Sequence, residues 1–395
     1  MSVAILPMSA HYGWSSSVKG AVSSSFNWGH MITNVVGGYA AAVTSPKHVL
    51  SVGVVVWSIF TVLTPGAAAT RNLPLLLLVR AAMGLGEGVA FPTMQAIIKG
   101  WVPADKRSRA LSLLFSGHQI GSICSLLISP PLIQHGGLPL LFCVYGSLGF
   151  LWLAFWLPWV SSPGLKRSAP GGSKAGAPSG GAAQLRLQEV PWRKFLACRP
   201  LWAIAVCHAT FGFTYSICIA WLPTYYSEVF SLDVRQSSTL SVLPWAAMAL
   251  GTNLSGWTAD GLVNGKVLST GKTRKLLQTV GCGGPALALL YLALVPQRGF
   301  LGEAVTLLTL AMGLLGFQAA GFAANHQDIA SRYASVLFGA TNAAASLAGS
   351  IGVYAVGVVL DRTSSWPLVL AIVACLNFAA ALCFATLATS EPLFE

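Results

Sequence analysis

Charge is the scarcest property of this chain. Of its 395 residues only 9% are Asp, Glu, Lys or Arg, where a soluble domain carries about a quarter. With 54% hydrophobic residues and a mean hydropathy of +0.68, that shortage excludes an ordinary water-soluble globule. Acids are scarcer still, 11 against 23 Lys and Arg. Most are dispersed in loops, with no paired carboxylates, no nucleophile beside a base and no His-rich ligand set, so an enzyme has no group of residues to work with. The eight cysteines, Cys124, Cys143, Cys198, Cys207, Cys218, Cys282, Cys375 and Cys383, include no CxxC pair. That spacing excludes a zinc ribbon and a disulfide framework. The net charge of +12 lacks the interleaved aromatic and basic residues of a nucleic-acid platform, so no nucleic-acid partner is expected. No cleavable targeting segment is visible.

What the chain has instead is apolar length. Runs long enough to cross a bilayer lie near 18–41, 48–68, 73–98, 108–132, 137–160, 199–222, 237–262, 275–296, 300–323, 333–360 and 366–388. The opening eight residues, MSVAILPM, are apolar but too short to span, and look like the end of a helix whose beginning is absent. Counting that stub gives twelve helices, all-α, with the lipid bilayer as the principal partner. A stretch at 161–198, rich in Gly, Pro, Ser and Ala in its first part, reads as a flexible linker. Residues 184–195 within it have the composition of a short amphipathic surface helix. The linker separates an N-terminal half (1–160, first helix truncated) from a C-terminal half (199–395). Of the 23 Lys and Arg, 17 fall in loops after even-numbered helices, Lys47, Lys99, Lys272 and Arg332 among them. The opposite loops hold Lys19, Arg71, Arg235, Arg298 and Arg362. The positive-inside bias puts the linker on the cytosolic side or its topological equivalent, such as stroma.

Within this apolar background a few ionisable residues stand out. Arg80 sits inside LPLLLLVRAAMGLGEGVAFPTMQAII at 73–98, and Glu87 follows seven residues later. A charge at that depth costs from ~2.5 to more than 10 kcal/mol, which a chain carries where the group faces a polar cavity, a partner or a ligand. Seven residues return Glu87 to nearly the face of Arg80, roughly 10 Å along the axis. A fixed cation and a titratable carboxylate on one cavity suit an anion site with a coupling group. The plainer reading is a structural ion pair locking two helices. Asn27, His30 and Asn34, at spacings of three and four, form one polar stripe on the second helix, suited to lining the cavity or to interhelical hydrogen bonds. His118 and Gln119 on the fifth helix have similar status, and Asn253 and Asn342 are weaker candidates. His326 and Asp328 are too few ligands for a metal, and suit a gate or a capping network.

Four collinear stretches resemble one family. They are MSVAILPM at 1–8; VRAAMGLGEGVAFP at 79–92, running to Trp101, Pro103, Arg107 and Arg109; WLPTYY at 221–226; and NHQDIA at 325–330, continuing through Tyr333 to Gly339, Asn342 and 347–349. They resemble the major facilitator superfamily, and within it the organic and inorganic anion:cation symporter branch. That branch includes vesicular glutamate transporters, sialin, sodium-phosphate cotransporter relatives and plant plastid and Golgi phosphate transporters. The resemblance implies two six-helix halves around a central cavity and secondary active transport of a small anion. Inorganic phosphate comes first, with ascorbate or another carboxylate as the alternative. It implies coupling to a co-transported sodium ion or proton, no cofactor, and a monomer in a plastid envelope or thylakoid membrane, with Golgi or plasma membrane as the other locations. It gives Arg80 the anion, Glu87 the coupling, and His208 the place of a basic residue on helix seven, although His208 also reads as a packed core histidine. Asp260, Arg107, Arg109, Asn325, His326 and Asp328 fall at its gates. The chain departs from the pattern at Ala42 and Val43, where the family has an Asp and a basic residue, and at Lys106, where it has Glu. These losses and the short first helix leave open a non-transporting relative acting as a sensor or assembly factor.

Overall fold

The computed structural model describes residues 1, 3–101, 107–159, 191–295, 300–330 and 333–394. Among them no strand occurs. The helices are α1 (Ile5–Tyr12), α2 (Ser16–Val43), α3 (Pro46–Ala69), α4 (Leu73–Glu87), α5 (Ala90–Trp101), α6 (Arg107–Trp159), α7 (Trp192–Ala197), α8 (Arg199–Phe230), α9 (Val234–Leu240), α10 (Val242–Asn264), α11 (Thr270–Leu294), α12 (Leu301–Leu315), α13 (Phe322–Ile329), α14 (Ala334–Thr363) and α15 (Trp366–Leu387). Eight helical stretches among the described residues are long and apolar enough to cross a membrane. The expected linker falls largely on residues 160–190, outside the described residues, as do residues 102–106. The side chains of Arg107 and Arg109, expected at a gate, also lie outside them.

Helix boundaries follow local chemistry. Ser15 accepts the Val18 N–H to start α2, Asn72 accepts that of Leu75 to start α4, and Ser365 that of Leu368 to start α15. Asp233 and Gln236 form a reciprocal capping box at α9. α6 is two spans rather than one: Gly136 (φ −144°, ψ 16°) and Gly137 (φ 67°, ψ −166°) break it, and the second conformation is open essentially to glycine alone. This is the boundary expected between the spans at 108–132 and 137–160. The span expected at 73–98 divides into α4 and α5. Pro92 has no N–H for the Gly88 carbonyl and its ring crowds it, so the chain turns at 88–89.

A second interruption lies between α12 and α13, where Gly316–Ala319 winds as a 3-10 turn. Side chains of α11 and of the turn tie the two together, and one freed backbone N–H is satisfied from α11. The Gln278 carboxamide oxygen accepts the Phe322 N–H at 2.9 Å, and Gln318 donates to the Gly281 carbonyl at 2.9 Å. Gln278 donates in turn to Gln318 at 3.0 Å. Non-helical backbone at membrane depth is tolerated only with such partners.

Packing follows chain order with two crossings. α2 lies on α4, α3 on α4 and α6, α8 on α14 and α15, and α11 on α12 and α15. α2 also packs along α14, and α6 meets α9 and α10. The largest apolar cluster, including Trp221, Tyr226, Leu292, Val353 and Trp366, joins α8, α11, α12, α14 and α15. The opening residues are helical and packed: Ile5 and Met8 are buried in a cluster with Val22, Leu76 and Leu141.

Candidate functional site

The position of Arg80 is set by two glycines. Gly29 on α2 and Gly84 on α4 lie where the helix backbones touch: a Cβ on Gly84 would strike the Phe26 carbonyl, and one on Gly29 the Ala81 carbonyl. Only glycine permits this approach, and it brings Phe26 beside Arg80. The guanidinium carbon is 5.5 Å from the centre of the Phe26 ring, a cation–π distance. Nη1 donates to the Met83 sulfur at 3.0 Å, and thioether sulfur is a weak acceptor. Nε is buried without a hydrogen-bond partner. Arg80 is 4% exposed and packs against Phe26 and Met83, where the sequence suggested a charge that faces a polar cavity.

Glu87 does not neutralise it. The carboxylate is half-buried and within Coulombic reach of Arg80, yet the ion pairs among the described residues are Lys19–Glu228 and Arg274–Asp328. The structural-pair alternative for Arg80 and Glu87 therefore has no contact to rest on. What remains is a buried guanidinium with an unpartnered Nε and no carboxylate in direct contact among the described residues, a group whose planar fork can take two oxygens of one anion.

The α2 stripe lies alongside. Asn27, His30 and Asn34 are all half-buried. The His30 ring is 5.7 Å from that of Phe26, and Gly88, just beyond α4, approaches the His30 backbone closely enough that a Cβ would intrude. His118 on α6 lies within Coulombic reach of His30 and is hydrogen-bonded, Nε2 to the Tyr215 hydroxyl at 2.8 Å. That bond crosses from α6 to α8. Tyr215 stacks on Phe211 at 5.7 Å and meets Trp245 edge-on at 5.1 Å. Sequence reasoning missed this aromatic wall, although Phe211 and Tyr215 stand four apart on one helical face.

His208 takes the packed-core position that is one of its two readings from sequence. It is 4% exposed, in the interior formed by α8, α13 and α14, with Phe322 and Phe338 rings at 4.7 and 5.1 Å. Its Nδ1 and the Nε2 of His326 each lie 2.9 Å from the single hydroxyl of Thr341. His326 also donates through Nδ1 to the Phe322 carbonyl at 3.0 Å. Thr341, unremarkable in sequence, is thus the link between the two histidines, and it fixes His208 in the core. Asn325 and Asp328 meet Arg274 of α11: Arg274 Nε donates to Asp328 at 2.8 Å and Asn325 to the same carboxylate at 3.2 Å. Asn325 further donates to the Thr389 carbonyl at 2.9 Å, beyond α15. Asp260 is exposed on α10. Two surface crevices, about 310 and 340 Å³, are lined on α6 by Trp152, Phe155, Trp156 and Trp159, and by Cys143, Val144, Ser147, Leu148 and Leu151; they hold none of these residues.

Long apolar helices, discontinuous at two places, with a buried cation that makes no salt bridge among the described residues, define an integral membrane protein built to pass a solute rather than to transform one. The chain belongs to the Major Facilitator Superfamily, whose family model matches residues 1–353. It is 42% identical over 368 residues to the sodium-dependent phosphate transport protein 1, chloroplastic, of Arabidopsis thaliana, covering 93% of this chain and 70% of that protein. It is 40% identical to probable anion transporter 4, chloroplastic, of Oryza sativa subsp. japonica, over 100% of this chain and 66% of that one. The ascorbate transporter, chloroplastic, of Arabidopsis thaliana is also 40% identical, over 100% and 72%. The chain thus spans about two thirds or more of the length of these relatives. In fold it is similar to a bacterial homologue of the human lysosomal transporter Spinster in an inward-facing, occupied conformation. The TM-score is 0.73 at 17% identity, covering 97% of this chain and 86% of that one. A D-xylose–proton symporter gives 0.73 at 16%, covering 99% and 92%.

Proposed function

We propose that this chain is a secondary active transporter of small anions in a plastid membrane, working by alternating access between an N-terminal half (1–160) and a C-terminal half (199–395). The observation that carries the reading is Arg80, a buried guanidinium with no carboxylate partner among the described residues. Keeping a charge in that state costs several kcal/mol, a cost offset when an anion supplies the missing acceptors. Arg80 binds the phosphate or carboxylate oxygens, with His30, Asn27 and Asn34 beside it and His118 at the far wall. Glu87 takes up a proton or responds to a sodium ion as the halves rock. Asp260, Arg107, Arg109, Asn325, His326 and Asp328 serve the cytoplasmic-side gates, and His208 supports them from the core. No other cofactor is required.

Inorganic phosphate is the first substrate, supported by the 42% identical phosphate transport protein. Ascorbate is the second reading, favoured by the 40% identical ascorbate transporter. The chloroplastic names of these relatives support the plastid location. Purified protein in proteoliposomes tests the reading: labelled phosphate and ascorbate are offered under imposed sodium or proton gradients. Gradient-driven uptake of one of them is expected. Uptake of neither, by folded protein, would leave a non-transporting family member.

A further inference from the structure

The C-terminal half holds a second buried polar group, built on two histidines. His208 of α8 and His326 of α13 are 4% and 1% exposed. Both face one hydroxyl, that of Thr341 on α14, with His208 Nδ1 and His326 Nε2 each 2.9 Å from it. The other nitrogen of His326, Nδ1, faces two backbone carbonyls, Phe322 at 3.0 Å and Ala323 at 3.3 Å. The other nitrogen of His208, Nε2, has no hydrogen bond among the described residues. On the surrounding elements, Arg274 of α11 and Asp328 of α13 engage each other at 2.8 Å. Cys207 of α8, Cys282 of α11, Tyr333 before α14 and Cys383 of α15 belong to the apolar cluster around Phe322. The pair also adjoins the anion site. His208, Phe211 and Tyr215 stand at spacings of three and four on one face of α8. The Phe211 ring is 5.9 Å from Phe322 and 5.7 Å from Tyr215, which is hydrogen-bonded to His118.

Counting hydrogens fixes how this chain is protonated. Carbonyls only accept, so His326 Nδ1 carries a hydrogen. In the neutral ring Nε2 is then bare and takes the hydroxyl hydrogen of Thr341. Giving that hydrogen to the Phe338 carbonyl instead, at 3.2 Å, would leave Nε2 without a donor. A hydroxyl has one hydrogen to give, so His208 must donate its Nδ1–H to the Thr341 oxygen. His208 Nε2 is left as the one bare nitrogen. A proton bound there lets the Nδ1 hydrogen pass to Thr341 and the hydroxyl hydrogen pass to His326 Nε2. His208 ends as the neutral Nε2–H tautomer and His326 as the imidazolium. Every hydrogen bond of the chain is reversed, and one proton has been gained. The charge settles on His326 because both of its N–H groups then have acceptors. It also stands in the last turn of α13, where the helix dipole favours a cation.

We propose that His208, Thr341 and His326 form one proton-binding site, loaded at His208 with its charge held on His326, through which the C-terminal half carries a proton together with the anion. The carriage of that proton rests on the transport reading above; the binding of it does not. The site stands beside Glu87 rather than replacing it, and makes a proton one of the co-transported ions. Once loaded, it places a positive charge behind the Phe211 and Tyr215 rings, where it favours an anion in the pathway, and unloading it favours release. Thr341 is a positioning residue: without its hydroxyl no hydrogen passes between the two rings.

Nitrogen-15 NMR of protein carrying labelled histidine reads the site without any substrate, the two rings being assigned from H208Q and H326Q. As the pH is lowered from about 8 to 4, His208 should stay neutral and exchange its Nδ1–H form for the Nε2–H form. His326 should become the imidazolium at the same midpoint. T341V should separate the two midpoints, and T341S, which keeps the hydroxyl, should behave as the parent. Charging of His208 itself, separate midpoints in the parent, no change in either ring, or a T341V that titrates as the parent does would overturn the site. In proteoliposomes under a proton gradient, T341V should accumulate labelled phosphate or ascorbate at least tenfold less than the parent while keeping counterflow exchange, and T341S should match the parent. Equal accumulation by T341V and the parent would overturn the coupling role. A shared titration in a protein that moves neither anion keeps the proton site and loses the transport reading, whereas normal transport with no change in either ring loses the proton site alone.

Discussion

A buried guanidinium that hydrogen-bonds only a thioether among the described residues is short of acceptors, and Arg80 is in that position. A structural salt bridge and a ligand site make opposite predictions there. Removing one partner of a buried pair costs about 3–5 kcal/mol, while deleting an unpaired buried charge relieves its desolvation. Arg80→Met should leave the melting temperature of the substrate-free protein unchanged or raise it, and should abolish uptake; a lower melting temperature would restore the structural pair. Arg80→Lys keeps the charge but loses the planar fork, so uptake should fall more than tenfold, and normal uptake would remove Arg80 from the substrate site. Glu87→Gln should spare counterflow exchange yet abolish gradient-driven accumulation, and persistent accumulation would show that Glu87 is not the coupling group. Arg80 and Glu87 were legible in sequence because a charge inside an apolar span is rare. Their surroundings were not, because Phe26 and Met83 are ordinary apolar letters until two helices cross. Thr341 and Tyr215 were missed for the same reason: a hydroxyl acquires a role from what lies opposite it.

Helices α2 and α4 hold the site through glycine. At Gly84 a side chain would meet the Phe26 backbone, which cannot rotate away. Gly84→Val should therefore separate the helices, destabilise the protein by about 1–3 kcal/mol and move Phe26 from Arg80, measurable as a lower melting temperature together with weaker anion binding. At the α12–α13 break, Gln278→Leu strips partners from the Phe322 N–H and from Gln318. Unsatisfied buried groups cost about 1–3 kcal/mol each, so amide exchange at 316–322 should quicken, and unchanged exchange would mean that the break does not depend on Gln278. Span positions were readable from apolar length, since each needs about 20 residues. The breaks within them were harder. Pro92 signals the turn at 88–89, but the 3-10 turn at Gly316–Ala319 is held by Gln278 reaching from the neighbouring helix, a partner that no local pattern marks.

For the whole molecule, the fold class was legible from the shortage of charge and the repetition of apolar runs, and membership of the Major Facilitator Superfamily is shown by the match over residues 1–353. Which helices meet across the bundle was not, because α2 and α14 are separated by most of the chain and share no pattern that announces their contact. Substrate choice belongs to this scale as well. Moving each net charge across 100 mV involves ~2.3 kcal/mol, so the number of co-transported ions sets whether the anion accumulates. The account stands on the anion meeting Arg80, and equilibrium binding of labelled phosphate and ascorbate to purified protein tests that contact without the rest of the cycle. The parent should bind at least one of them, and Arg80→Gln should weaken that binding tenfold or more, about 1.4 kcal/mol. Equal affinity in the two proteins would contradict it.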